Sequence, residues 1–169
     1  MSKLSAFHGD PKLKAMIIDE VKNHRKQDQI IKGTYGKENG TWKGCAIGCS
    51  IHSLNLKTGS TFKTDDHSAY EKGFGIPAEL AFLEDVLFEE LPLAEAELLP
   101  EKFFKAIKPG ADLSKVVSQF VVWQFEDKEC GLKNTDEVKN HKKVLDFCQE
   151  VVDLHKRRLA GDEPPEKEF

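Results

Sequence analysis

Nowhere among the 169 residues do about 18 apolar side chains follow one another, the run a helix needs to cross a bilayer core. No membrane association is therefore expected. Residues 1–10 also lack the apolar stretch of a secretory signal, so the expected location is the cytoplasm. Acids and bases are interspersed along most of the chain rather than gathered in one block: 25 Lys and Arg face 29 Asp and Glu, a net charge of −4. Phosphate backbones are held by clustered cations, so nucleic acid is not an expected partner. The densest basic runs, 139–143 and 156–158, are interleaved with Asp136, Glu137, Asp146, Glu150 and Asp153 and read as a solvated helix face. Cysteine is scarce and has no CxxC spacing. In a reducing compartment Cys45, Cys49, Cys130 and Cys148 read as thiols or ligands rather than disulfides.

What is present is helix-forming sequence punctuated by proline and glycine. Thirty-nine per cent hydrophobic and 32% charged residues suit a globular chain, and the length suits one domain with its own core. The expected class is all-α, a multi-helix orthogonal bundle over 1–161 followed by a disordered acidic tail over 162–169. Asp10 and Pro11 start a helix expected to run to Lys32 and stop at Gly33. A glycine-rich loop over 33–40 leads to a second helix over 42–53, in which Gly44 and Gly48 permit close packing. Residues 54–64 read as a loop or short hairpin, and 66–72 as a short helix. Pro77 and Pro92 bound a helix over 77–91, and Pro100 and Pro109 bracket another. The valine-rich run 113–125 is read as helix behind Asp112, and 134–160 as the clearest amphipathic helix, ended by Gly161.

Helical phase then selects the chemistry. Leu13, Ile17, Val21 and Ile31 form one stripe of the first helix, and Glu20, His24 and Asp28 fall on it. Either the stripe leaves the core after Val21, or these groups build an internal polar site, because unpaired buried charge is costly. Cys45, Cys49 and His52 recur at i, i+4 and i+7. That spacing suits zinc or another divalent metal with His67 or His24 completing the set, and equally suits plain packing of small buried thiols. Cys49 beside His52 is the one pair suited to thiol chemistry. On the helix from Pro77, Leu80, Leu83, Leu87 and Leu91 define the expected inner face with Glu84 in the same arc, and Phe82, Val86 and Phe88 imply a helix surrounded by others. His24 or His52 would serve Glu84 as a partner. Asp28 and Glu84, if facing, would hold magnesium as in a hydrolase, although the ExxE pairing of helical NTP pyrophosphohydrolases is absent. His141 and His155 edge the stripe of the last helix and carry no expected site.

The segments His24-Arg25-Lys26-Gln27-Asp28, 44–52 (GCAIGCSIH) and 70–77 (YEKGFGIP) resemble an uncharacterised family of bacterial and phage helical proteins. The resemblance implies a helical fold and brings no activity, cofactor or partner. Three functions stay open. The first is a helical binding or accessory protein without catalysis, self-associating as a homo-oligomer through Trp42, Phe82, Phe88 and Trp123. The second is a metal or small-ligand site of His24, Asp28, Cys45, Cys49, His52 and Glu84, and the third is the magnesium hydrolase.

Overall fold

The computed structural model describes residues 4–38 and 40–162. The fold is all-α, with helices α1 (Pro11–Lys26), α2 (Ala46–Thr58), α3 (Ala69–Phe74), α4 (Ala78–Glu90), α5 (Leu93–Ala96), α6 (Leu99–Ala106), α7 (Val116–Glu126), α8 (Asp136–Lys139) and α9 (Lys142–Ala160). Two-residue strands β1 (Lys37–Glu38) and β2 (Trp42–Lys43) pair antiparallel. Where one body is expected over 1–161, the chain gathers into two compact units, Met1–Leu113 and Ser114–Phe169. The expected acidic tail lies, from residue 163 onward, outside the described residues. No helix among the described residues is long and apolar enough to cross a membrane.

The first unit is built round α2, which packs against α1, α3, α4 and α6. Its core joins Ile17 and Val21 of α1, Ile47, Ile51 and Leu54 of α2, Tyr70 and Phe74 of α3, Phe88 of α4 and Phe104 of α6, all buried. Phe7, Tyr70, Phe74 and Phe104 meet in tilted, edge-on and, for Tyr70 with Phe104, stacked pairs with ring centroids 5.2–6.2 Å apart, within the range that aromatic quadrupoles favour. Asp10 caps α1 by accepting from the Lys12 N–H at 2.8 Å, with Pro11 at the first helical position.

Several boundaries depart from the sequence reading, each for a local reason. α1 ends at Lys26 rather than Lys32, because Asp28 takes a left-handed φ of 51° and Gln29 and Ile31 turn their backbone groups to Gly44. That bridge keeps 42–44 extended, so α2 begins at Ala46 with Cys45 as its N-cap, the thiol accepting from the Gly48 N–H at 3.4 Å. α2 then continues through 54–58, where a loop or short hairpin is expected, to Gly59 in the left-handed region. Asn55 ties the loop beyond it to both backbone groups of Phe62. The short hairpin lies instead at β1–β2.

In the second unit α7 packs against α9, with Cys148 and Val152 buried and Ser118 bonded to His155 at 3.1 Å. The single helix expected over 134–160 is broken: α8 ends at Lys139, and His141 is extended before α9 begins. Asn and His are indifferent helix residues, and here no apolar side chain is buried on α8 to carry the helix through. His141 is exposed and outside the stripe, whereas Gly161 ends α9 in the left-handed region as expected.

Candidate functional site

The polar groups of the first unit fall into two clusters, and the sequence-selected residues are divided between them. The first surrounds His24, buried on α1. Its Nδ1 donates to Gln29 Oε1 at 2.6 Å, and its Nε2 accepts from the Ser53 hydroxyl at 2.8 Å. With both ring nitrogens engaged, no lone pair is left for an ion. His52 stacks on Trp42, ring centroids 4.0 Å apart and planes within 5°, and lies 6.2 Å from the His24 ring. Trp42 packs so tightly on Gly36 that a Cβ there would fall 2.0 Å from the indole. The Cys49 thiol donates to the Gly44 carbonyl at 3.3 Å, and burial pushes its pKa up to about 12. A protonated, carbonyl-bonded thiol is a packing group, so Cys49 and His52 do not form an ion pair suited to nucleophilic chemistry.

Burial holds the His24 imidazole below its ordinary pKa of 6.5, against the opposing pull of Gln29 and Glu20. Its stabilising contribution is therefore complete above pH 6.5 and is lost as pH falls through the lower folded value, because the unfolded chain takes up the proton first. The urea midpoint of the wild type is expected to drop between about pH 7 and pH 5, and that of His24→Gln to start lower and fall less steeply. Parallel slopes in the two proteins would remove His24 as the cause.

The second cluster is carried by α4. Glu84 is 1% exposed. Its Oε2 accepts from the Tyr70 hydroxyl at 3.0 Å, while Oε1 has no partner among the described residues. Loss of water pushes the carboxyl up to about 8; the Tyr70 bond opposes this and the Asp85 charge adds to it. Glu84 is thus a neutral acid at pH 7. Asp85, 8% exposed, accepts at one oxygen from both the Tyr35 hydroxyl (2.7 Å) and His67 Nε2 (3.0 Å). That bond to a carboxylate, with burial second, raises the Tyr35 pKa well above its usual range. Glu89, one turn on, accepts from the Gly33 N–H with both oxygens at 3.1 and 3.2 Å. Lys32 donates to the carbonyls of Glu89 and Leu91, closing the C-terminus of α4.

Cys45 completes this group. Its Sγ and single oxygens of Asp85 and Glu89 lie within 4.8 Å of one another, the one such set of three or more among the described residues. Burial first, then the Asp85 charge, pushes the Cys45 thiol up to about 12. Of the sequence-selected residues, then, Cys45 and His67 reach the α4 carboxylates, Glu84 sits sealed beside them, and His24, Cys49 and His52 form the separate cluster. Asp28 is exposed at the turn after α1 and joins neither, so the facing Asp28–Glu84 pair is not formed. Glu84 takes Tyr70 as its partner rather than a histidine.

Tyr35, Asp85 and Glu89 were not singled out from the sequence. The i, i+4 spacing of Asp85 and Glu89 was the available signal, hidden because α4 turns Leu80, Ala81, Glu84, Asp85 and Phe88 inward and leaves Leu87 and Phe82 exposed. Set against protein-family models, curated proteins and solved structures, the chain matches none.

Proposed function

We propose that this is a binding protein without catalysis whose first unit takes a divalent metal ion, zinc best fitting the donors, through Cys45, Asp85 and Glu89. The observation that carries the reading is the convergence of one sulfur and two carboxylate oxygens within 4.8 Å. A mixed sulfur and oxygen set suits zinc, whereas magnesium and calcium take oxygen alone. The bonds from Tyr35 and His67 support it further: they hold Asp85 in one orientation, as hydrogen bonds around metal ligands do. His67, a sequence-selected ligand, acts in this reading by orienting Asp85. Coordination would bring the Cys45 thiol to thiolate, the form that binds metal. Neither cluster offers a nucleophile activated by a base, which favours binding over hydrolysis.

Zinc titrated into metal-free protein is expected to bind once per chain and raise the melting temperature. Cys45→Ser and Asp85→Asn should each weaken binding by tenfold or more, and Cys130→Ser, which removes an exposed thiol outside the set, should leave it unchanged. Calorimetry showing equal affinity in the wild type and both ligand variants would overturn the reading.

A further inference from the structure

α4 is apolar on nearly every side, the pattern of a helix enclosed by others. One side of it is bare. Phe82 is 59% exposed, Val86 44% and Leu87 39%. Phe82 and Val86 lie one turn apart on a single line, with Leu83 and Leu87 on the next line over. Leu93 and Leu98, just beyond, are 53% and 37% exposed. A lone exposed leucine is ordinary, but a run of apolar side chains at helical spacing marks a surface that something else covers.

Charge identifies the kind of cover. From Gly73 through Glu101 there is no Lys or Arg, while Glu79, Glu89, Glu90, Glu95 and Glu97 all fall there. Glu79, Glu90, Glu95 and Glu97 take part in no ion pair among the described residues. Lys32, the cation at the end of α4, is engaged with backbone carbonyls. Pairing this face with the same face of a second copy would set these glutamates against their own kind, and an anionic lipid surface or nucleic acid would be repelled likewise.

We propose that the outer face of α4 is a docking surface for a cationic amphipathic helix of a partner protein, apolar residues at i, i+3 and i+4 seating on Phe82, Leu83, Val86 and Leu87, and flanking Lys or Arg meeting Glu79 and Glu90. This is recognition of one amphipathic helix by another's apolar face, with electrostatic register. Its test is separate from the metal reading, since Glu79, Val86, Leu87 and Glu90 are not ligands there.

The test uses the full chain and a fluorescent helical peptide of Leu on one face and Lys on the flanks, read by anisotropy. Two control peptides share its composition or its shape: one scrambled to break the apolar face at the same charge, one with Glu for Lys. The inference expects saturable binding of the first peptide, at least tenfold weaker binding of both controls, and at least tenfold loss in Val86→Ser/Leu87→Ser and in Glu79→Lys/Glu90→Lys. These positions are exposed, and unchanged melting temperatures would verify folding. A scrambled peptide binding as tightly, or variants binding as the wild type does, would overturn it. So would a dimer in sedimentation that Val86→Ser/Leu87→Ser dissolves, which would give the face to a second copy.

Discussion

In the metal-free protein, raising the pH from about 6 to about 8 is expected to lower the melting temperature by roughly 5–10 °C, and Glu84→Gln to abolish most of that fall. The carboxyl is sealed on α4 with Tyr70 as its one bonding partner among the described residues, and burial lifts it from 4.5 to about 8. Below about 4.5 both folded and unfolded chains hold the proton, and the advantage of burying a neutral acid is fully present. Between 4.5 and 8 the unfolded chain releases its proton while the folded chain keeps it, so stability declines with every unit. Beyond 8 the folded carboxyl ionises too and the contribution is gone. Each unit is worth about 1.4 kcal/mol, and a chain of this size changes by about 2–4 °C per kcal/mol. Glutamine keeps an acceptor for the Tyr70 hydroxyl and has no proton to lose. Cys45 and Cys49, ordinarily near 9 and lifted to about 12, add a decline of their own only at higher pH. Thermal melts at the two pH values decide the matter: wild type and Glu84→Gln falling in parallel would mean that another group sets the slope.

A place inside the core could be read for Glu84, which shares the arc of an apolar stripe, whereas His24 stayed open between the core and its rim because the stripe of α1 allows either. Their partners could not be read. His24 is satisfied by Gln29, which arrives only because the chain reverses after Lys26, and Glu84 by Tyr70 from another helix. Caps were legible where the chemistry is local: Asp10 with Pro11, and Gly161. Phase was not legible on α4, since leucines stand on both of its sides and periodicity alone does not tell the buried line from the bare one. That one ambiguity hid Asp85 and Glu89 and left Phe82 between a contact with a neighbouring helix and a self-association surface. The extent of α2 was misjudged for a related reason. Its glycines suggest packing within a helix, but Gly44 lies before the helix, in the bridge to Gln29 and Ile31, and Gly48 lies inside it.

Gly48→Ala is expected to cost on the order of 2–3 kcal/mol, although alanine is the better helix former by about 1 kcal/mol. A Cβ at Gly48 would lie 2.0 Å from the Tyr35 carbonyl oxygen, 2.6 Å from its carbonyl carbon and 3.0 Å from its Cα. All three are backbone atoms, so no rotamer change relieves the clash, and the 34–36 loop has to move off α2. Tyr35 then carries its hydroxyl away from Asp85, and Cys45, whose N–H is bonded to the Thr34 carbonyl at 2.7 Å, loses its anchor. Gly59→Ala separates this close approach from ordinary glycine effects, since its φ is +72° but nothing lies within 4 Å of the added methyl. It should cost about 1 kcal/mol from backbone strain alone. In melts of the two variants, Gly48→Ala should fall further, by several degrees, and in zinc titrations it alone should lose affinity. If Gly48→Ala melted like the wild type, the Tyr35 loop would not be seated on α2, and the orientation of Asp85 by Tyr35 would fall with it.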